Sequence, residues 1–378
     1  MAANSASSAI PAPAAGFKAL VALVAIGVAA AVYRFSVGLG ASTNLSDNVP
    51  WGLWVAVDVL SGVALAAGGF SITAAVYIFN MKKYKPIARP AILTAFIGYL
   101  VVVMGLVVDI GKPLDFWHPI FMWNYRSVMF EVVWCITLYL SVLALEFAPA
   151  FLERFQLHGL LKVLKFFTYP LVIAGIVLSF LHQSSLGGFF LIMPHKTPAM
   201  WYTPNMPYMF YLSAIAVGLA MVSFESIVSA RSFKREPEMD IIEGLGRGAM
   251  ITLIIYLAAK FGDLAYRGNL PAVFSSGKAS LFFILEITIG VLLPIILYAN
   301  KAVRQSANGM LLASSCVIVG TVMNRFNINF FSQAGPKAHY FPSITELLVT
   351  VGLVALMVLL YRLAVTYLPV FHEPGKQH

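Results

Sequence analysis

Pro90 to Ile110 reads PAILTAFIGYLVVVMGLVVDI, twenty-one residues in which the only charge is Asp109 near the end. At 1.5 Å per residue a helix of this length crosses the roughly 30 Å hydrocarbon core of a bilayer. The pattern recurs along the sequence. Runs at about 17–39, 51–79, 90–110, 127–148, 160–185, 206–231, 245–266, 279–300, 308–328 and 344–368 predict ten membrane helices. Composition agrees: 60% of the 378 residues are hydrophobic and 11% charged, against about 45–50% and about 25% in soluble domains. A soluble protein is excluded, and the expected fold is an all-α polytopic membrane protein. The helix count suggests one integral membrane domain, 17–368, with four-helix bundles at 51–185 and 206–328 and flanking helices at 17–39 and 344–368. Met1 to Gly16, rich in Ala, Ser and Pro without a basic n-region, reads as a disordered tail rather than a signal peptide. Residues 369–378 read as a second tail.

The net charge of +9 does not point to nucleic acid, because Lys and Arg sit in short clusters between apolar runs. Fifteen of the 25 fall on one side, among them Lys82, Lys83, Lys85, Arg89, Arg154, Arg231, Lys234 and Arg235. The positive-inside bias therefore predicts both termini in the cytoplasm. The opposite side carries the longer connections, 110–126 and 184–205, rich in Trp, Phe, Tyr, Pro and His. They suit an aromatic belt or a docking surface for an external partner.

Cys135 and Cys316 are the only cysteines, too few for a disulfide framework or a four-thiolate iron–sulfur site. A cluster would have to belong to a partner. Of seven histidines only His182 lies within a span. A transmembrane b-type haem is usually held between two facing histidines, so no intrinsic haem is expected. Nucleotide-binding loops, dinucleotide fingerprints and nucleophile elbows are absent from the sequence.

Intramembrane ionisable groups each cost about 2.5–3.5 kcal/mol at the bilayer centre, so each needs a reason. Glu131 lies about 6 Å inward from Ser127 and Asp58 about 10 Å inward from Trp51, measured from the side opposite the basic clusters. His182 and Asp109 reach the same layer from the ends of spans 5 and 3. Four proton-exchanging groups from four helices thus share one depth. Gly62, Ala66 and Gly69 continue the helical face of Asp58 and favour close helix contact. Alternatives are structural: Asp109 could pair with Lys112, while Arg126 stands at an awkward helical spacing from Glu131. Lys260, Asp263, Glu286, Arg325 and Glu346 in the second half read as paired structural charges, Lys260 with Asp263 and Arg325 with Glu286.

Longer strings carry a resemblance. Trp51-Gly-Leu-Trp-Val-Ala-Val-Asp58, the small-residue run to Gly69, Asp109-Ile-Gly-Lys-Pro with Phe116-Trp117, Asn124-Tyr-Arg-Ser-Val-Met-Phe-Glu131, His182-Gln-Ser-Ser-Leu-Gly187 and Trp201-Tyr-Thr-Pro204 are similar to HybB-type membrane subunits of uptake nickel-iron hydrogenases. Those subunits belong to the wider NrfD/polysulfide-reductase class. The resemblance implies an integral subunit of a bacterial inner-membrane complex with no cofactor of its own. It would bind quinone, menaquinone in the first instance, near the outer face. Its partners would be a periplasmic ferredoxin-like iron–sulfur subunit and the large and small subunits of a nickel-iron hydrogenase. Multihaem cytochrome or molybdopterin-type complexes are alternative partners. A secondary transporter, from a different class, would show matched helix breaks in both halves, and Pro294 in span 8 has no proline counterpart.

On that reading Asp58, Glu131 and His182 bind and protonate the quinone, with Asp109 beside them. Arg89, Tyr99, Glu131 and Glu225 form a discontinuous proton relay from the cytoplasm, completed by internal water.

Overall fold

The computed structural model describes residues 16–193, 196–333 and 340–371. His195, His339, His372, His378 and nearly all of the first expected tail lie outside them. Among the described residues, ten helices are long and apolar enough to cross a membrane: α1 (Phe17–Val37), α2 (Val55–Ile78), α3 (Lys82–Asp109), α4 (Val128–Arg154), α5 (Thr168–Ile192), α6 (Met206–Ser232), α7 (Met239–Tyr266), α8 (Lys278–Ala299), α9 (Ala307–Gln333) and α10 (Ile344–Tyr367). An even number of spans puts both described ends on one side, the basic face. The other is the aromatic face.

Helix ends differ from the sequence expectation for local reasons. α3 begins before Pro90 because Pro86 occupies its opening turn, where a missing N–H costs nothing. His158–Phe166, which overlaps the expected start of the fifth span at 160, is a separate helix on the basic face. His158, Lys162 and Lys165 form one side of it and Leu160, Val163 and Leu164 the other, the pattern of a helix lying in the membrane interface. Pro369–Phe371, expected to begin a tail, are packed down: Arg89 Nη1 donates to the Pro369 carbonyl at 3.2 Å, Val370 is buried, and the Arg235 guanidinium stands 3.5 Å from the Phe371 ring centre.

α2, α3, α4 and α5 pack in succession, and α5 returns to α2; α6, α7, α8 and α9 do the same, with α9 returning to α6. The two rings meet where α6 lies on α5 and α2 and where α9 lies on α2. α1 and α10 pair with each other and rest against α3. Small residues set these approaches. A Cβ added to Gly27 of α1 would stand 2.6 Å from the Gly352 Cα of α10, so the backbones touch. Gly27→Val is expected to separate them and destabilise the fold by about 1–3 kcal/mol, the usual range for overpacking. A thermal midpoint equal to that of the parent would contradict the close contact.

α2 is irregular. Val55–Gly62 and Ala74–Ile78 wind with wide i→i+5 turns, and Ala66–Ala67 interrupt the helix between them. Such wide turns concentrate at functional sites, and the first of these carries Asp58. Gln183 Nε2 of α5 donates to the Val63 carbonyl at 3.0 Å. In α8 a wide-turn segment, Thr288–Leu292, precedes Pro294 and accommodates its missing donor.

The aromatic end of α2 is anchored by side chains. Trp51 exchanges hydrogen bonds with Gln333, its N–H reaching Oε1 at 2.8 Å and its carbonyl accepting from Nε2 at 2.9 Å. Glu346, fully buried, forms a capping box with Ser343 and accepts from the Asn44 N–H at 3.1 Å and the Tyr340 hydroxyl. Burial and that carboxylate push the Tyr340 phenol above its ordinary pKa. Glu346 is a structural staple held chiefly by backbone, and it forms no ion pair among the described residues.

Candidate functional site

α4 and α5 face each other with a series of polar groups. On α4, Glu131, Cys135, Tyr139 and Glu146 fall within about 80° of one helical face. Ser185, His182, Ser179 and Gly175 answer them from α5. The Ser185 hydroxyl lies against the Glu131 carboxylate and the Leu181 carbonyl, the latter at 2.7 Å. Glu131 itself is exposed at the rim of the ring. One turn inward His182 is fully buried, its ring centre 5.7 Å from that of Tyr99 on α3, which is 4.6 Å from that of Tyr139. The Tyr139 hydroxyl points toward Ser179 and that of Tyr99 toward Gln183. Glu146 fills the space left by Gly175, where an added Cβ would lie 3.2 Å from Oε1.

Few of these groups are satisfied. Both imidazole nitrogens of His182, the hydroxyls of Tyr99, Tyr139 and Ser179, Gln183 Oε1 and Glu146 Oε1 are buried without a formed hydrogen bond. Buried polar atoms are nearly always paired, and each orphan costs about 1–3 kcal/mol. Their concentration in one ring marks an interior suited to a polar guest and to proton movement.

Asp58 and Asp109 lie on the α2–α3 side nearer the aromatic face: Asp58 is five residues outward of Val63, which Gln183 holds, and Asp109 is ten residues outward of Tyr99, the neighbour of His182. Asp58 is buried with Oδ2 unpaired, and a Cβ on Gly105 would meet that oxygen at 2.5 Å, so the glycine makes room for the carboxylate. The two acids are near enough to repel each other. The cation facing Asp109 is Arg34 of α1, not Lys112, and Arg34 Nη2 also donates to the Ile110 carbonyl at 2.6 Å. Asp58 touches neither His182 nor Glu131. It approaches their side through Val63, within two turns on the same helix, whose carbonyl Gln183 holds.

The expected relay is brought together in part. Tyr99 stands beside His182. Glu225, on α6, accepts from Thr94 Oγ1 of α3 at 2.6 Å, and its buried Oε2 faces the Tyr361 hydroxyl of α10. Arg89 pairs with Glu153 at 2.6 Å. Neither Arg89 nor Glu225 forms a hydrogen bond or ion pair with Tyr99 or Glu131. Sequence reasoning missed Glu146, Tyr139, Ser179 and Gln183. The available signal was spacing, since Glu146 repeats the face of Glu131 fifteen residues on.

The second ring behaves differently. Both oxygens of Glu286 are hydrogen-bonded: Asn324 Nδ2 donates to Oε1 at 2.7 Å, and Asn327 Nδ2 and Trp201 Nε1 donate to Oε2 at 2.8 and 3.0 Å. Arg325 reaches Glu286 only through Asn324, whose Oδ1 accepts from Nη1 at 2.6 Å, and Nη2 donates to Ser213 Oγ at 2.8 Å. Asp263 pairs with Arg267 at 2.7 Å rather than with Lys260 and accepts from Thr203 at 2.7 Å. These bonds fix four helices and the α5–α6 connection, a structural use of charge.

Among the described residues no three His, Cys, Asp or Glu residues are grouped so as to hold a metal ion. His182 is the only histidine in the spans, so the paired imidazoles of a transmembrane b-type haem are not offered. The purified protein is expected to show no reduced-minus-oxidised haem band. A b-type band at one haem per molecule would overturn that expectation.

Residues 41–337 match the family model described as polysulphide reductase, NrfD. The protein is 32% identical to the probable Ni/Fe-hydrogenase 2 b-type cytochrome subunit of Escherichia coli, across 94% of its own length and 92% of the relative. It is 29% identical to the menaquinone reductase integral membrane subunit of Nitratidesulfovibrio vulgaris, covering 92% and 89%. It is 25% identical to the Hdr-like menaquinol oxidoreductase integral membrane subunit of Archaeoglobus fulgidus, covering 92% and 90%. With ten apolar spans and a family match over most of its length, the chain belongs to the NrfD family of multi-pass membrane proteins.

Proposed function

We propose that the protein is the quinone-reactive subunit of a respiratory hydrogenase complex in a bacterial inner membrane, with both termini in the cytoplasm. Its aromatic face anchors a periplasmic ferredoxin-like iron–sulfur subunit, which bridges to the large and small subunits of a nickel-iron hydrogenase. Two electrons from that partner and two protons convert menaquinone to menaquinol. The related hydrogenase and menaquinone reductase subunits support this assignment.

The observation that carries the quinone reading is the contrast between the rings. Carboxylates of the second ring are hydrogen-bonded, whereas the first ring gathers unpartnered polar atoms from α2 to α5. A quinone entering from the lipid meets Glu131 and Ser185 at the exposed rim, with His182 and Tyr99 behind them and Asp58 and Asp109 on the opposite side. Its carbonyl oxygens need hydrogen-bond donors and then protons. A mostly apolar ring with few convergent polar groups is the usual form of such a site.

The test is to purify the tagged protein with its native partners, identify them, and assay hydrogen-driven reduction of a short-chain naphthoquinone. Co-purifying hydrogenase subunits and quinone reduction are expected. A multihaem cytochrome or molybdopterin subunit in their place would transfer the quinone site to another complex. An intact complex that fails to reduce quinone would overturn the reading.

A further inference from the structure

A groove of about 710 Å³ opens on the lipid-facing side between α3, α4 and α10. It lies outside the first ring and toward the basic face. Phe96, Phe147, Phe151, Leu363 and Tyr367 line it, and Arg154 is its only charged residue. Its walls run from Leu93 to Leu100 on α3 and from Phe147 to Phe155 on α4, about 10–12 Å along the helix axes. That is most of one leaflet, half of a core roughly 30 Å thick.

Charge at the mouth is unbalanced. Arg89 holds Glu153 at 2.6 Å, so the acid next to Arg154 in sequence is already engaged. Arg154 makes no ion pair or side-chain hydrogen bond with any described residue, and neither do Lys162 and Lys165 on the interfacial helix that follows it. Tyr367, 64% exposed, places a phenol at the same level.

We propose that this groove is a binding site for an anionic phospholipid. One acyl chain lies along the aromatic and leucine walls. The phosphate sits on Arg154. An apolar slot one leaflet deep with its one unpaired cation, Arg154, at the mouth matches an amphiphile whose single charged group is anionic. Basic pockets between membrane helices bind such headgroups for this reason. The site is independent of the quinone assignment, since it shares no residue with it.

The test uses the full-length protein, purified in detergent, stripped of lipid and offered phosphatidylglycerol or phosphatidylcholine. Bound lipid is counted by native mass spectrometry, and the thermal midpoint is followed in parallel. The parent is expected to retain phosphatidylglycerol preferentially and to gain stability from it. Arg154→Ala should weaken phosphatidylglycerol binding about fivefold, the effect of one cation at a membrane surface, and leave phosphatidylcholine unaffected. Arg154→Lys should keep the preference. Leu363→Trp, which fills the slot, should abolish retention of both lipids while the elution profile and helix content stay those of the parent. Equal retention of the two lipids by the parent, or a preference that survives Arg154→Ala, would overturn the proposal. Retained quinone that disappears in Leu363→Trp would instead give the groove to a quinone tail.

Discussion

His182→Ala is expected to slow hydrogen-driven menaquinone reduction by at least 100-fold while leaving electron transfer from the hydrogenase to an artificial acceptor unchanged. His182 is fully buried with both ring nitrogens free, and it stands between the Glu131–Ser185 rim and Tyr99. A positioned proton donor is worth about 10²–10⁴-fold, and His182 is the only imidazole in the spans. Asp58→Ala should act in the same direction, through the opposite wall of the site. Lost packing would reduce both activities through poor assembly, so the artificial-acceptor rate separates chemistry from folding. Normal quinone turnover in both variants, with the complex assembled, would refute the placement. Gln183→Ala makes a sharper control for the wall itself, because it frees the Val63 carbonyl without removing a proton donor. A smaller loss, about tenfold, is expected there.

The ten spans were legible because length and hydropathy are properties of each segment alone. Helix ends were less so. Pro90 and Pro149 both lie inside helices, and the interfacial helix at 158–166 has enough leucine to resemble the start of a span. Depth was readable only coarsely: counting residues from the span ends put Asp58, Glu131, His182 and Asp109 in one layer, whereas Asp109 lies ten residues outward along α3 from Tyr99, the neighbour of His182. Which of them touch was not readable. Asp109 faces Arg34, a residue of α1 separated from it by 75 positions. That contact depends on how α1 and α10 pack on α3, which local pattern does not encode. Lys260 and Asp263 show the same limit. Their spacing of three permits a pair, but Arg267 stands four residues beyond Asp263, with better fork geometry, and takes the carboxylate. Glu146 went unnoticed because an isolated acid near the basic end of a span reads as interfacial. The facing glycine on α5 and the buried Oε1 show that its carboxylate is turned inward.

The direction of proton uptake decides whether the reaction conserves energy. Electrons arriving at the aromatic face with protons from the same side leave the membrane uncharged. Protons drawn from the basic face build a proton-motive force. We propose two candidate routes. One runs through Glu225 and Thr94 beside α3. The other follows the α4–α5 seam from Glu131 and His182 past Tyr99, Tyr139 and Ser179 to Glu146, with Tyr77 of α2 and then Arg89 near its lower end. From Glu131 to Glu146 the seam covers about 22 Å at 1.5 Å per residue, roughly three-quarters of the hydrocarbon core. A relay along it requires ordered waters between its hydroxyls and carboxyls. With the complex sealed into vesicles, hydrogen-driven quinone reduction in the parent is expected to consume protons from the basic face. Glu131→Gln, at the outer end proposed for both routes, should cut that uptake at least tenfold. Glu146→Gln should match it if the seam carries the protons, and Glu225→Gln should match it if the α3 side does. Hydrogenase activity toward an artificial acceptor should stay at the parent level in all three. Uptake that persists unchanged in every variant would remove both routes. A parent that moves no protons across the membrane would leave an electrically silent quinone reductase, in which the buried acids serve only the headgroup.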